Sequence, residues 1–199
     1  MMEGFIIALL LIINTVISWW NARVVGWSWI DVKVIGGWYK VVLYSAFIMS
    51  GCGFSWVYLV LVSFIGLAIG KLDVNTAQAI LQLGYAVLII PIIGSGIAIW
   101  IHSLAEAYRR KDAASIGVAG WNTFANAYNV YSAARTLPSM LKGLGSLFKS
   151  GGDIKVKAIM GVILCVVAGF LTTYVIVQKS ASSYSHKVKA ELESTAIHS

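Results

Sequence analysis

Acidic and basic side chains are missing from four long stretches of this 199-residue chain, residues 4–20, 41–70, 77–101 and 158–178, and histidine is missing from them too. That pattern excludes an ordinary soluble domain. Charged residues make up 12% of the chain and apolar ones 59%, against roughly 45 to 50% apolar in a soluble domain. A bilayer core about 30 Å thick needs about 20 helical residues to cross it, so each stretch is long enough, or nearly so, to span as an α-helix. Cysteine is scarce: Cys52 and Cys165 both sit inside apolar runs, which argues against a disulfide framework and leaves two packed thiols. No CxxC or Cys/His spacing suits a metal, and no GxSxG, HExxH, paired intramembrane carboxylate or phosphate-binding glycine loop occurs. The chain is therefore expected to be non-enzymatic, with no cofactor and no metal.

What is present is an apolar, basic, all-α sequence, expected to fold as a polytopic transmembrane helical bundle of about four spans, a single membrane domain over 1–178 with a polar tail at 179–199. The start, Met1-Met2-Glu3-Gly4-Phe5, carries an acid where a secretory signal has basic residues, so the first run reads as a retained helix. The net charge of +7 lies almost entirely between and beyond the runs. Basic loops suit an anionic membrane surface, and topology alone explains them without nucleic acid. With four crossings, 21–40 and 102–157 share one side. Arg23, Lys33, Lys40, Arg109, Arg110, Lys111, Arg135, Lys142, Lys149, Lys155 and Lys157 fall there, against Lys71, Lys179, Lys187 and Lys189 on the other. Eleven against four puts 102–157 in the cytoplasm and both termini outside a cell, or inner, membrane.

Within the runs, glycine and proline set the questions. The second run is long enough to be either one tilted helix or two pieces broken at Gly51-Cys52-Gly53. Pro91, followed by Gly94 and Gly96, offers a kink or hinge in the third. Gly161, Cys165, Gly169 and Thr173 recur every four residues and form a small-residue strip for close helix packing, as do Gly66 and Gly70. Asn14, Thr15, Gln78 and Gln82 can hydrogen-bond across helices. Trp19, Trp20, Trp27, Trp29, Trp38 and Tyr39 crowd the first connection like an interfacial aromatic belt.

The segment 102–152 is not a passive loop. Val118, Trp121, Phe124, Ala125, Tyr128 and Tyr131 or Ser132 follow helical spacing, with Asn122, Asn126 and Asn129 on a neighbouring strip. Pro138 punctuates it, a second apolar face follows opposite Lys142 and Lys149, and Gly151-Gly152 ends it. The expected arrangement is an amphipathic cytoplasmic helical segment lying on the anionic leaflet. Its surface residues are Trp121, Phe124, Tyr128, Arg135, Lys142 and Lys149, with Arg109-Arg110-Lys111 anchoring the preceding helix end. Packing as a hairpin under the bundle and docking of a partner are the alternatives.

Two functional classes remain. One is a scaffold or assembly subunit that self-associates or binds other membrane proteins through small-residue helix faces. The other is a pore, channel or transporter. In size, number of spans and basic character the chain is similar to holins, the phage proteins that permeabilise membranes, and it departs from them in the long amphipathic connection.

Overall fold

The computed structural model describes residues 2–29, 37–150 and 152–197, with side chains described at 4–29, 37–145 and 152–188. The described residues form five helices: α1 Met2–Ser28, α2 Trp38–Ala68, α3 Val74–Arg110, α4 Ala113–Ser150 and α5 Gly152–Ile197. No strand occurs among the described residues. Four helices, α1, α2, α3 and α5, are long and apolar enough to cross a membrane. The chain is an integral membrane protein with an all-α bundle fold.

α2 runs unbroken through Gly51-Cys52-Gly53. These glycines leave room for neighbours. A Cβ at Gly51 would lie 2.7 Å from the Phe170 ring of α5, and one at Gly53 would collide with the Ser18 hydroxyl of α1. α1 continues past residue 20, so Arg23 is helical and lies over the rings of Trp19 and Trp27, 4.7 and 5.0 Å from their centroids. Of the first connection, Val32, Lys33, Val34 and Ile35 lie outside the described residues.

Two tight corners fix the middle of the chain. After α2, Lys71 N–H donates to Gly66 O at 2.9 Å and Gly70 N–H to Leu67 O at 3.1 Å, the paired bonds of a Schellman stop, with Gly70 at φ 67°. Leu72 folds back over Gly66. Asp73 then caps α3 by accepting from Thr76 N–H at 2.8 Å and Thr76 Oγ1 at 2.7 Å. After α3, Lys111 takes a left-handed conformation at φ 56°, and Asp112 caps α4 by accepting from Ser115 N–H at 2.7 Å. So short a connection folds α4 straight back along α3.

Contacts at successive levels give each helix a direction. α1 and α2 are antiparallel, since Asn14 meets Gly53 while Trp29 meets Tyr44. α2 and α3 are antiparallel, with Tyr39 beside His102 and Trp56 beside Tyr85. α3 and α4 are antiparallel: Trp100 meets Thr123, Gly96 meets Asn126 and Gln82 meets Gly143. α2 and α5 are antiparallel, with Ser50 at Thr173 and Ser55 reaching Val166. Hence α3 and α5 point the same way, and α5 begins at the end where α3 begins.

This alternation corrects two expectations. A segment lying flat beneath the bundle would leave α5 antiparallel to α3 and both chain ends together; instead α4 stands beside α3 from end to end, and the chain ends lie at opposite ends of the bundle. α4 is also one helix, with Pro138 inside it rather than at a boundary. Ala119, Asn122, Asn126, Asn129, Ser132 and Ala133 turn inward, while Trp121, Phe124, Tyr128 and Tyr131 are each more than 60% exposed.

Candidate functional site

The tightest part of the molecule is where α1, α2 and α5 meet. Ser50 Oγ, fully buried, donates to Ser18 O of α1 at 2.7 Å and lies 3.2 Å from Thr173 Oγ1 of α5. Thr173 in turn donates to Gly169 O at 3.1 Å. Asn14 Nδ2 donates to Gly53 O at 3.0 Å, and Tyr58 Oη lies 2.8 Å from Thr172 Oγ1. Gly169 comes closest to the backbone of another helix, because a Cβ there would meet Ser55 N at 2.5 Å and Gly51 O at 2.8 Å. The small-residue strip of α5 is thus a packing face within the chain: Gly161 meets Ile80 of α3, Cys165 joins the core with Cys52 and Leu59, and Gly169 and Thr173 meet α2. Gly66 and Gly70 are different. They build the corner after α2 rather than a contact between helices. Ser18, Ser50 and Ser55 are the node residues that composition and spacing did not single out. The signal for Ser50 and Ser55 is the run Ser50-Gly51-Cys52-Gly53-Phe54-Ser55, which first reads as a possible break.

A second polar seam joins α3 to α4. Trp100 Nε1 donates to Thr123 Oγ1 at 2.8 Å, and Asn126 Nδ2 donates to Asn122 O at 2.8 Å. Buried Gln82 Oε1, Tyr85 Oη and Asn126 Oδ1 find no hydrogen-bond partner among the described residues. Gly96, read as part of a hinge, sits under the Asn126 side chain, while Gly94 faces open space. Pro91 is half-buried inside a continuous α3. Beside this seam a cavity of about 240 Å³ is lined by Trp56, Tyr85, Tyr128, Asn129 and Ser132 among others.

Among the described residues nothing covers the outer face of α4. Trp121, Phe124, Tyr128 and Tyr131 run down it, followed by Arg135 and Lys142, both exposed. Lys149 belongs to the same series, and its side chain lies outside the described residues. Arg135 falls between the levels of Asn126, which meets Gly96, and Gly143, which meets Gln82, and so lies about 13 Å along the axis from each at 1.5 Å per residue. That is the height of Leu88, in the middle of the apolar run of α3. Among the described residues no carboxylate pairs with Arg135. The eight acids of the chain, Glu3, Asp31, Asp73, Glu106, Asp112, Asp153, Glu191 and Glu193, all lie outside the apolar runs.

The basic triplet at the end of α3 is differently placed. Glu106 accepts from Arg109 at 2.6 Å and from Arg110 at 2.8 Å, and both arginines are largely exposed, so these pairs stabilise little. Lys111 is the left-handed corner residue. Glu106, Arg109 and Arg110, with Trp38, Tyr39, His102 and Ser115, line an open cleft of about 800 Å³ at the bundle end. Outside the spans, Asp112 is held below the ordinary carboxylate range, first by the Ser115 backbone N–H, and Asp73 likewise, first by the Thr76 hydroxyl. Among the described residues no three His, Cys, Asp or Glu side chains converge as a metal site would require. No protein-family model, curated protein or solved structure matches this chain.

Proposed function

We propose that this protein is a non-enzymatic subunit of a larger membrane assembly, and that the outer face of α4 is its binding surface. The small-residue strip that suggested assembly is consumed inside the chain, whereas α4 presents four large aromatics and a cation to its surroundings. The observation that carries the reading is Arg135: exposed, without a carboxylate among the described residues, and level with the middle of the apolar spans. A lone arginine at a bilayer centre costs about 3 kcal/mol on insertion scales and more in simulation, so a protein contact that satisfies it is favoured over bare lipid.

Site-specific photo-crosslinking in native membranes tests this. A crosslinker at Phe124 should give discrete protein adducts, whereas one at Leu164, on the lipid-like side of α5, should give only lipid. Protein adducts from neither position would sink the reading. A pore is the second reading, supported by the unsatisfied Gln82, Tyr85 and Asn126 atoms along the α3–α4 seam. It expects rapid collapse of the membrane potential on regulated expression, which an assembly subunit does not.

A further inference from the structure

We infer that α4 crosses the bilayer as a fifth span, and that its Arg135 is seated against a carboxylate carried by a membrane helix of a different protein. The crossing follows from connectivity. α3 and α5 run in the same direction and begin at the same end of the bundle, as the pairings Tyr39–His102, Trp56–Tyr85, Ser50–Thr173 and Ser55–Val166 require. Two parallel spans in succession can be joined only by a segment that returns through the membrane. α4 is that segment, and its length matches that of α3. Lipid as the outer solvent also accounts for its two faces: the Asn and Ser strip finds α3, and the aromatic strip faces acyl chains or protein. The end carrying Arg23, Lys40, Arg109-Arg110-Lys111, Lys179, Lys187 and Lys189, eight basic residues against Lys71, Lys142, Lys149, Lys155 and Lys157 at the other, is then cytoplasmic, which puts the carboxyl end inside and the amino end outside.

The second half of the inference rests on the assembly reading. Mid-bilayer cations pair with groups that satisfy them. A second copy of this chain cannot supply the partner, because no acid lies within any apolar run and α4-to-α4 contact would bring two Arg135 side chains together. The complementary group is therefore a carboxylate near the middle of another protein's helix.

The crossing is tested by single-cysteine labelling of the full chain in intact cells with a membrane-impermeant maleimide; Cys52 and Cys165, buried, stay silent. Ala113→Cys and Gly152→Cys flank α4 and should label from opposite faces. Labelling of both from one face overturns the crossing. The partner chemistry is tested in phosphatidylcholine vesicles by energy transfer between the protein and synthetic polyleucine spans carrying one central Glu, Gln or Leu. The Glu span should associate about tenfold more tightly than the Leu span, and Arg135→Leu should abolish the difference. Equal association of the three spans, or a preference that survives Arg135→Leu, overturns the carboxylate. So does modification of Arg135→Cys by the maleimide in sealed vesicles, which shows water there instead. Photo-crosslinking at Phe124 can succeed while either test fails, so the assembly reading stands or falls separately.

Discussion

Gly169→Ala isolates the close approach of α5 to α2. The added methyl would sit 2.5 Å from Ser55 N and 2.8 Å from Gly51 O, and it would also strike the Ser55 hydroxyl. Since ordinary contact is about 3.5 Å, the helices must part by roughly 1 Å. Two of the three obstructing atoms are backbone and cannot swing aside. Overpacking of this kind costs about 1 to 3 kcal/mol. Displacing Ser55 from its 2.7 Å bond to Gly51 O adds about 0.6 kcal/mol, the average for a membrane hydrogen bond. The gain in helix propensity returns about 0.5 to 1 kcal/mol. The expected net loss is about 2 kcal/mol. Gly161→Ala, on the same strip, meets only the flexible end of Ile80 at 3.2 Å, and should stay within about 0.5 kcal/mol of the parent. Titration from mild detergent into dodecyl sulfate, followed by tryptophan fluorescence, measures both. Equal stabilities for the two variants, or a Gly169→Ala protein as stable as the parent, would refute the contact.

Other positions give sharper signs than sizes. Gly94→Ala should stabilise the bundle by about 0.5 kcal/mol or more because nothing lies within 4 Å of the new methyl, while Gly96→Ala, under Asn126, should destabilise it; loss of stability in the first would restore a hinge there. Ser50→Ala removes the bond to Ser18 O and the contact with Thr173, and the same titration should show a loss of about 0.6 to 1.7 kcal/mol. Asp73 and Asp112 have depressed pKa values in the folded state. Their caps therefore contribute fully above the unfolded value of about 4 and fade as pH falls through the lower folded values. Amide exchange at the starts of α3 and α4 should accelerate only in that acid range, and Asp73→Ala should be fast at every pH.

Charge-free runs made four helices legible because a bilayer leaves the backbone little else to do. The corners were less visible. Gly66 and Gly70 have the spacing of a packing pair, and only the following Lys71-Leu72-Asp73, with Thr76 three residues beyond the cap, marks them as a stop. The periodicity of α4 is legible in the sequence, and its direction relative to the bundle is not. A stripe of Trp121, Phe124 and Tyr128 beside a stripe of asparagines looks the same whether the helix lies along the membrane surface or stands beside α3, and the pattern does not name the orientation. Arg135 and Lys142 lowered its hydropathy enough to hide a helix as long as α3. The Ser18–Ser50–Thr173 node was invisible because serine and threonine in a membrane helix more often bond their own backbone, as Thr15 does to Leu11.

The sharing of Ser50 between α1 and α5 also orders events during synthesis. The hydroxyl of the second helix waits for a partner 123 residues downstream, so a chain still on the ribosome can pair α1 with α2 but leaves the notch at Gly51 and Ser55 open. Closure arrives with the last helix, and any truncation before Gly169 would leave a permanently unfinished bundle for quality-control proteases to find.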